Sequence, residues 1–149
     1  MIEQLNRQRV FKLLEAYSAG DFDAALLNCS DDIVHLASAP IDIFPHLGSR
    51  QGKAEVKKMW EIARRRYSGM RYEIKTILAE GDQVAVDLRV FLRKCSNDRI
   101  VQYDVAIFYT LQDGRVTRIR EIMDTFDLVQ QVLERDLASL LNISAPLEP

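Results

Sequence analysis

Cysteine is scarce. The 149 residues contain two, Cys29 and Cys95, far apart and without a second metal-type ligand nearby. That argues against a disulfide framework and leaves two free thiols suited to a reducing cytoplasm. Proline (4) and glycine (6) are sparse too, and no Pro/Gly/Ser-rich stretch or repeat divides the chain. One domain spanning 1–149 is therefore expected, long enough to bury a real core. No apolar run comes near the ~20 residues that a membrane span needs. Met1 to Arg7 lack the apolar stretch and cleavage site of a secretory signal. An excess of one charge is also missing. With 20 Lys+Arg against 22 Asp+Glu the formal net charge is -2, which argues for neither nucleic acid nor an anionic membrane as partner. The expected location is the cytoplasm.

What is present is ordinary globular material, 48% hydrophobic and 28% charged, with a change of period halfway along. Ile2, Leu5, Val10, Leu13, Leu14 and Tyr17 recur at helical spacing, and Gly20 supplies a stop. Asp21 can cap a short second helix through Phe22, Ala25, Leu26 and Cys29. Ile33 to Ser38 reads as a first strand, and Ala39 to Gln51, with Pro40, Pro45 and Gly48, as a long loop. A third helix opens at Gly52 with Val56, Met59, Trp60, Ala63 and Tyr67 on its apolar face. Its basic residues, Lys57, Lys58, Arg64 and Arg65, read as a solvated side diluted by Glu55 and Glu61. From Met70 the period is two: Met70–Leu78, Val84–Arg93, Arg99–Leu111 and Arg115–Met123 form a four-strand meander. Its turns are Gly81-Asp82, Ser96-Asn97 and Asp113-Gly114. A last helix carries Leu128, Val129, Val132, Leu133, Leu137, Leu140 and Leu141, and Ser144–Pro149 should fray. Helices first and strands second make an α+β fold.

Three segments carry a resemblance. Tyr17-Ser18-Ala19-Gly20-Asp21-Phe22-Asp23-Ala24-Ala25 with Asp31-Asp32-Ile33-Val34-His35 looks like the opening of the ketosteroid isomerase and SnoaL-like superfamily, the nuclear transport factor 2-like fold. Gly48 to Trp60 and Asp113 to Asp124 are similar to its middle segment and its penultimate turn and last strand. The likeness spans nearly the whole chain. It implies a cone-shaped pocket under a curved, mostly antiparallel sheet wrapped by three to four helices. It also implies a small apolar ligand and a homodimer formed through one sheet face. The superfamily hosts isomerases, cyclases, hydrolases and non-catalytic binders, so the resemblance specifies the fold better than the chemistry.

Ketosteroid isomerase chemistry needs a carboxylate base and two acidic donors. Aligned through Ala19-Gly20-Asp21 and the Asp-Gly turn, those three positions fall at Leu13, Ala37 and Ala106. All are apolar, which argues against that activity. The limonene epoxide hydrolase pattern finds its residue types in Asp87, Arg89 and Asp124, but the strand runs Asp-x-Arg where that family has Arg-x-Asp. In the SnoaL-like cyclases an acid/base aspartate near the end of the last strand corresponds to Asp124, which also suits an N-cap. His35 shares the face of the family's catalytic base and could relay a proton near pH 7. Asp124 and His35 are thus the candidate catalytic pair.

Two-residue turns set the register on paper. Arg89 then falls opposite Asp104, Asp87 and Glu121 both opposite Ala106, and Met123 opposite Asp104. Asp87, Arg89, Asp104 and Glu121 would share one face, with Val84, Val86, Leu88, Val90, Tyr103, Val105, Ile107 and Tyr109 on the other. On pattern alone the apolar face is core. The resemblance instead turns the charged row toward the pocket, and a single bulge would reverse the parity. Candidate substrate-binding residues are Tyr17, Trp60, Asp87, Arg89, Asp104 and Glu121. His46 could cover a pocket mouth. No cofactor or metal is expected, since His35, His46, Asp42 and Asp124 do not form a metal-ligand spacing. The first functional reading is an isomerase, cyclase or hydrolase acting on a small apolar ring-bearing molecule by acid/base catalysis. The alternative is a non-catalytic ligand-binding or dimerisation module.

Overall fold

A computed structural model describes residues 1–141. The elements run α1 (Ile2–Ser18), α2 (Phe22–Leu26), β1 (Cys29–Ala37), β2 (Ser49–Gln51), α3 (Lys53–Arg64) and β3 (Tyr67–Glu80). They continue with β4 (Gln83–Lys94), β5 (Ile100–Gln112), β6 (Arg115–Met123), α4 (Thr125–Leu133) and α5 (Leu137–Leu140). The α+β fold is as expected, with five helices among the described residues where three to four were expected. The sheet is mixed, in the order β2-β1-β6-β5-β4-β3. β3 to β6 form the meander, β1 runs parallel to β6, and β2 pairs antiparallel with β1. β2 lies inside what the sequence presents as loop; three residues are too few to show a period.

Local chemistry explains the boundaries. Asp21 caps α2 by accepting the Ala24 amide at 3.1 Å. Asp113 and Gly114 both have positive φ, 50° and 77°, as a type I′ hairpin turn demands. The expected single last helix is broken: Glu134 adopts the left-handed conformation at φ 54° and ends α4, and Asp136 caps α5 through the Ser139 amide. The apolar stripe runs on through Leu137 and hides this break, because it records burial and not backbone continuity. The buried Lys94 ammonium fixes the end of α4 by donating to the carbonyls of Gln131 (2.6 Å) and Val132 (3.2 Å) and to Glu134 Oε1 (2.8 Å). A lysine there satisfies orphan carbonyls and suits the negative end of the helix dipole. The expected fraying of Ser144–Pro149 lies outside the described residues.

Sheet parity is decided by β6. The β4–β5 pairing is as read from the turn, with Asp87 opposite Ala106 and Arg89 opposite Asp104. On β5–β6, however, Leu111 pairs with Val116 but Thr110 with Arg118, so Thr117 is an extra residue, a bulge. Beyond it every β6 side chain changes face: Glu121 sits opposite Ile107, not Ala106, and Met123 opposite Val105, not Asp104. Val116 and Ile119, three apart, are both buried. The inner face is therefore the apolar one, Val84 to Leu92 on β4 and Val101 to Leu111 on β5. It packs with α1, α3 and α4 into one core.

Candidate functional site

Between the inner sheet face and α1, α3 and α4 lies a cavity of about 120 Å³. That is close to the ~150 Å³ of an apolar cavity that takes up benzene, so its size matches one ring. The wall is mostly Leu, Val, Ile and aromatic side chains. Glu121 is the one carboxylate among the described residues that line it.

Glu121 meets His35 across the parallel β1–β6 pair, where His35 lies beside Ile119 and Ala37 beside Glu121. His35 is 3% exposed. Its Nδ1 accepts the Trp60 indole N–H at 2.9 Å. An indole can only donate, so Nδ1 is bare and the ring hydrogen sits on Nε2. Nε2 stands 3.5 Å from Glu121 Oε1, too long for a good hydrogen bond, and has no hydrogen-bond partner. The result is a fixed, unspent donor beside a half-exposed carboxylate. Trp60 is held in turn by edge-on contact with Tyr17 (5.2 Å between ring centres) and by Phe22 (5.7 Å).

Besides Tyr67 from the start of β3, three phenols line the same cavity: Tyr17 from α1, and Tyr103 and Tyr109 from β5. Burial first, then the negative charge of Glu121, pushes all three above the ordinary tyrosine range. They stay un-ionised near neutral pH and act as hydrogen-bond donors. At the rim, Arg64 donates to the α1 carbonyls of Tyr17 (3.0 Å) and Ser18, and His46 and Arg66 complete the mouth. Burial first, then the positive charges of Arg66 and Arg50, lowers the His46 pKa. Among the described residues no group of three His, Cys, Asp or Glu could hold a metal ion.

Of the sequence-predicted residues, Tyr17, Trp60, His35 and Glu121 come together here, with His46 at the mouth. The others do not. Asp87, Arg89 and Asp104 lie on the outer face, where Asp104 pairs with Lys75 (2.8 Å) and Arg89 (3.2 Å). Placing them in the pocket with Glu121 is corrected by the bulge at Thr117, which brings Glu121, alone of these four, to the inner face. Asp124 is exposed, accepts the Asp127 amide at 3.1 Å as the N-cap of α4, and is not among the cavity residues. Tyr109 and Arg66 went unnoticed as site residues. Tyr109 shares with Tyr103 the apolar face that the two-residue period of β5 defines, whereas nothing local marks Arg66.

The sequence profile of the SnoaL-like domain matches residues 10–119. The chain belongs to the SnoaL-like family. Among solved structures, a protein from Rhodopseudomonas palustris proposed to be an isomerase is 32% identical, over 85% of this chain and 93% of its own, with a TM-score of 0.73. An NTF2-like protein from Burkholderia pseudomallei is 17% identical over 85% of this chain and 95% of its own, TM-score 0.77. An LEH-like epoxide hydrolase from M. tuberculosis is 21% identical over 95% and 99%, TM-score 0.73. At those two lower identities the likeness shows the fold alone, which is the NTF2-like cone. None of the curated proteins compared matches this chain. No helix among the described residues of this SnoaL-like chain is long and apolar enough to cross a membrane.

Proposed function

We propose that this SnoaL-like protein is an acid/base enzyme that moves a proton on a small, single-ring carbonyl compound, with Glu121 as the base. One observation carries the reading: the lone carboxylate of the cavity wall stands beside a buried, partnerless N–H, His35 Nε2, whose direction Trp60 fixes. Glu121 takes a proton from the carbon next to the carbonyl. The C–H electron pair becomes a C=C bond, and the carbonyl π pair moves onto oxygen. The resulting enolate oxygen is met by His35 Nε2–H and by the phenols of Tyr17 and Tyr103. Return of the proton from Glu121 to a different carbon completes an isomerisation with nothing consumed. His35 here donates to oxygen and Trp60 positions it; Asp124 takes no part. Leu13, Ala37 and Ala106 keep their apolar identities, and the cavity is too small for a four-ring substrate. The isomerase assignment proposed for the 32% identical R. palustris protein points the same way.

The test is conversion of 3-cyclohexen-1-one to its conjugated isomer, followed by ultraviolet absorbance. Glu121→Gln should lower kcat by on the order of 10²–10⁴ while the fold is kept. Equal turnover by Glu121→Gln rules Glu121 out as the base. A parent protein that binds such ring ketones and turns none over favours the non-catalytic binding module.

The same reading has the protein working as a homodimer in the cytoplasm. Its support is the outer sheet face, which no helix among the described residues covers, where Phe108 and Ile122 remain 44% and 41% exposed and Phe91 lies under the Arg71 guanidinium at 4.0 Å. Cys29 and Cys95 are both free thiols, which fits a reducing compartment.

A further inference from the structure

The cavity continues past its rim. Arg66, Tyr67 and Val132 line both the inner cavity and a second hollow of about 570 Å³. Its remaining wall is Lys94, Cys95, Ser96, Asn97, Leu133 and Glu134. Walls held in common make the two spaces neighbours, the inner lined mostly by apolar side chains and the outer, the more open of the two, by a larger share of polar and charged ones.

We propose that the outer hollow is a subsite for a carboxylate-bearing tail of the substrate, with Arg66 holding the carboxylate while the ring fills the inner cavity. The proposal rests on the ring-sized inner site argued under Proposed function and adds the substrate's second half. Charge pairing supports it. Glu134, the only acid of the outer hollow among the described residues, is already taken by Lys94 (2.8 Å), Asn97 (2.7 Å) and Arg99 (3.2 Å). Arg64, the other rim arginine, is engaged by the α1 carbonyls. Arg66 is exposed and its side chain has neither an acidic partner nor a hydrogen bond among the described residues. At the other end Glu121 repels an anion, so an anionic substrate can enter only ring first, with its charge left outside. A guanidinium presents two parallel N–H donors to a carboxylate, which makes that group the best fit.

Trp60 is the single tryptophan of the chain and stands in the inner wall, so its fluorescence reports occupancy of the inner cavity. The test is titration of the full chain with 4-phenylbutanoate and with its neutral, same-sized amide, by Trp60 fluorescence and by calorimetry. The acid should bind at least about fivefold more tightly than the amide, a preference that shrinks as salt screens it. In Arg66→Gln the preference should fall to about one while the amide's affinity stays as in the parent. An acid preference that survives Arg66→Gln, or is absent from the parent, overturns the proposal. If the amide binds without an acid preference, only the tail subsite falls. If neither probe perturbs Trp60 or gives heat, the ring-sized inner site falls with it.

Discussion

Replacing Trp60 with phenylalanine tests the positioning of His35 directly. The substitution keeps an aromatic ring against Tyr17 and Phe22, whose centres lie 5.2 and 5.7 Å away, and removes the N–H that His35 Nδ1 accepts at 2.9 Å. A buried acceptor left without a partner costs about 1–3 kcal/mol. The smaller ring forfeits roughly 40–50 Å² of buried apolar surface, about 1 kcal/mol at ~25 cal/mol per Å². Together these give a loss of about 2–4 kcal/mol, or roughly 5–15 °C in Tm at ~2–4 °C per kcal/mol for a chain of this size. Urea and thermal unfolding followed by far-ultraviolet circular dichroism measure it without relying on tryptophan emission. The hydrogen-bond share is isolated by a double-mutant cycle with His35→Leu. In that background Trp60→Phe should cost no more than the surface contribution, since it also removes an indole N–H left without its acceptor, leaving a coupling of at least about 1–3 kcal/mol. Equal cost in both backgrounds would refute the reasoning, since the indole would then act by packing alone. Nitrogen NMR gives a second readout: the parent should show His35 as the Nε2–H tautomer, and Trp60→Phe should release that preference.

Asp124→Ala should lower stability by about 1 kcal/mol, the ordinary worth of an N-cap, and leave turnover of ring ketones unchanged; a fall in turnover without a fall in Tm would restore Asp124 to the chemistry. Stability should decline above about pH 9, because burial raises the Cys29 thiol from 9.0 to about 12. The unfolded chain releases that proton first, so the contribution is complete below pH 9 and is lost as pH rises, at ~1.4 kcal/mol per pH unit for each such group. The phenols of Tyr17, Tyr103 and Tyr109, also raised, join in above their ordinary value. The tyrosinate absorbance of these three should therefore rise together with unfolding, after that of the half-buried Tyr67 and Tyr72, and ionisation of all five well before unfolding would contradict the burial. Phe108→Glu places a charge on the outer sheet face and should convert the sedimentation profile from dimer to monomer; a parent chain that sediments as a monomer at micromolar concentration removes the dimer altogether.

Secondary structure was legible wherever one local rule decided it. Gly20 ends α1 and Asp21 caps α2, and the hairpin of β4 and β5 keeps the register of its turn because nothing intervenes in either strand. Legibility failed where tertiary packing overrode a local pattern. The stripe from Leu128 to Leu141 continues through a break that only the αL backbone of Glu134 and the Lys94 ammonium, distant in sequence, impose. The parallel pairing of β1 with β6 joins segments some 80 residues apart, which no local period encodes.

The bulge at Thr117 joins the fold to its chemistry. Without it, Glu121 would lie outside beside Phe108 and Asp87, and the cavity wall would hold no carboxylate among the described residues. One extra residue moves Ile119, Glu121 and Met123 inward together, so the same shift that closes the core with Ile119 brings the one carboxylate to the cavity wall among the described residues. The bulged strand is held by the Thr117 hydroxyl, which donates to the Thr110 carbonyl at 3.2 Å. A trace of this was in the sequence. Val116 and Ile119 are apolar at a spacing of three between Arg115, Arg118 and Arg120, a mismatch that a regular strand facing one core cannot accommodate. Buried apolar positions out of step by one residue mark a bulge, and a carboxylate two residues beyond such a step is carried inside with them. That carboxylate stays partly open to solvent, and His35, whose ring Trp60 sets, stands 3.5 Å from it with its Nε2–H unspent. The polar part of this site is thus a consequence of strand register, and its partners lie where the register places the charge.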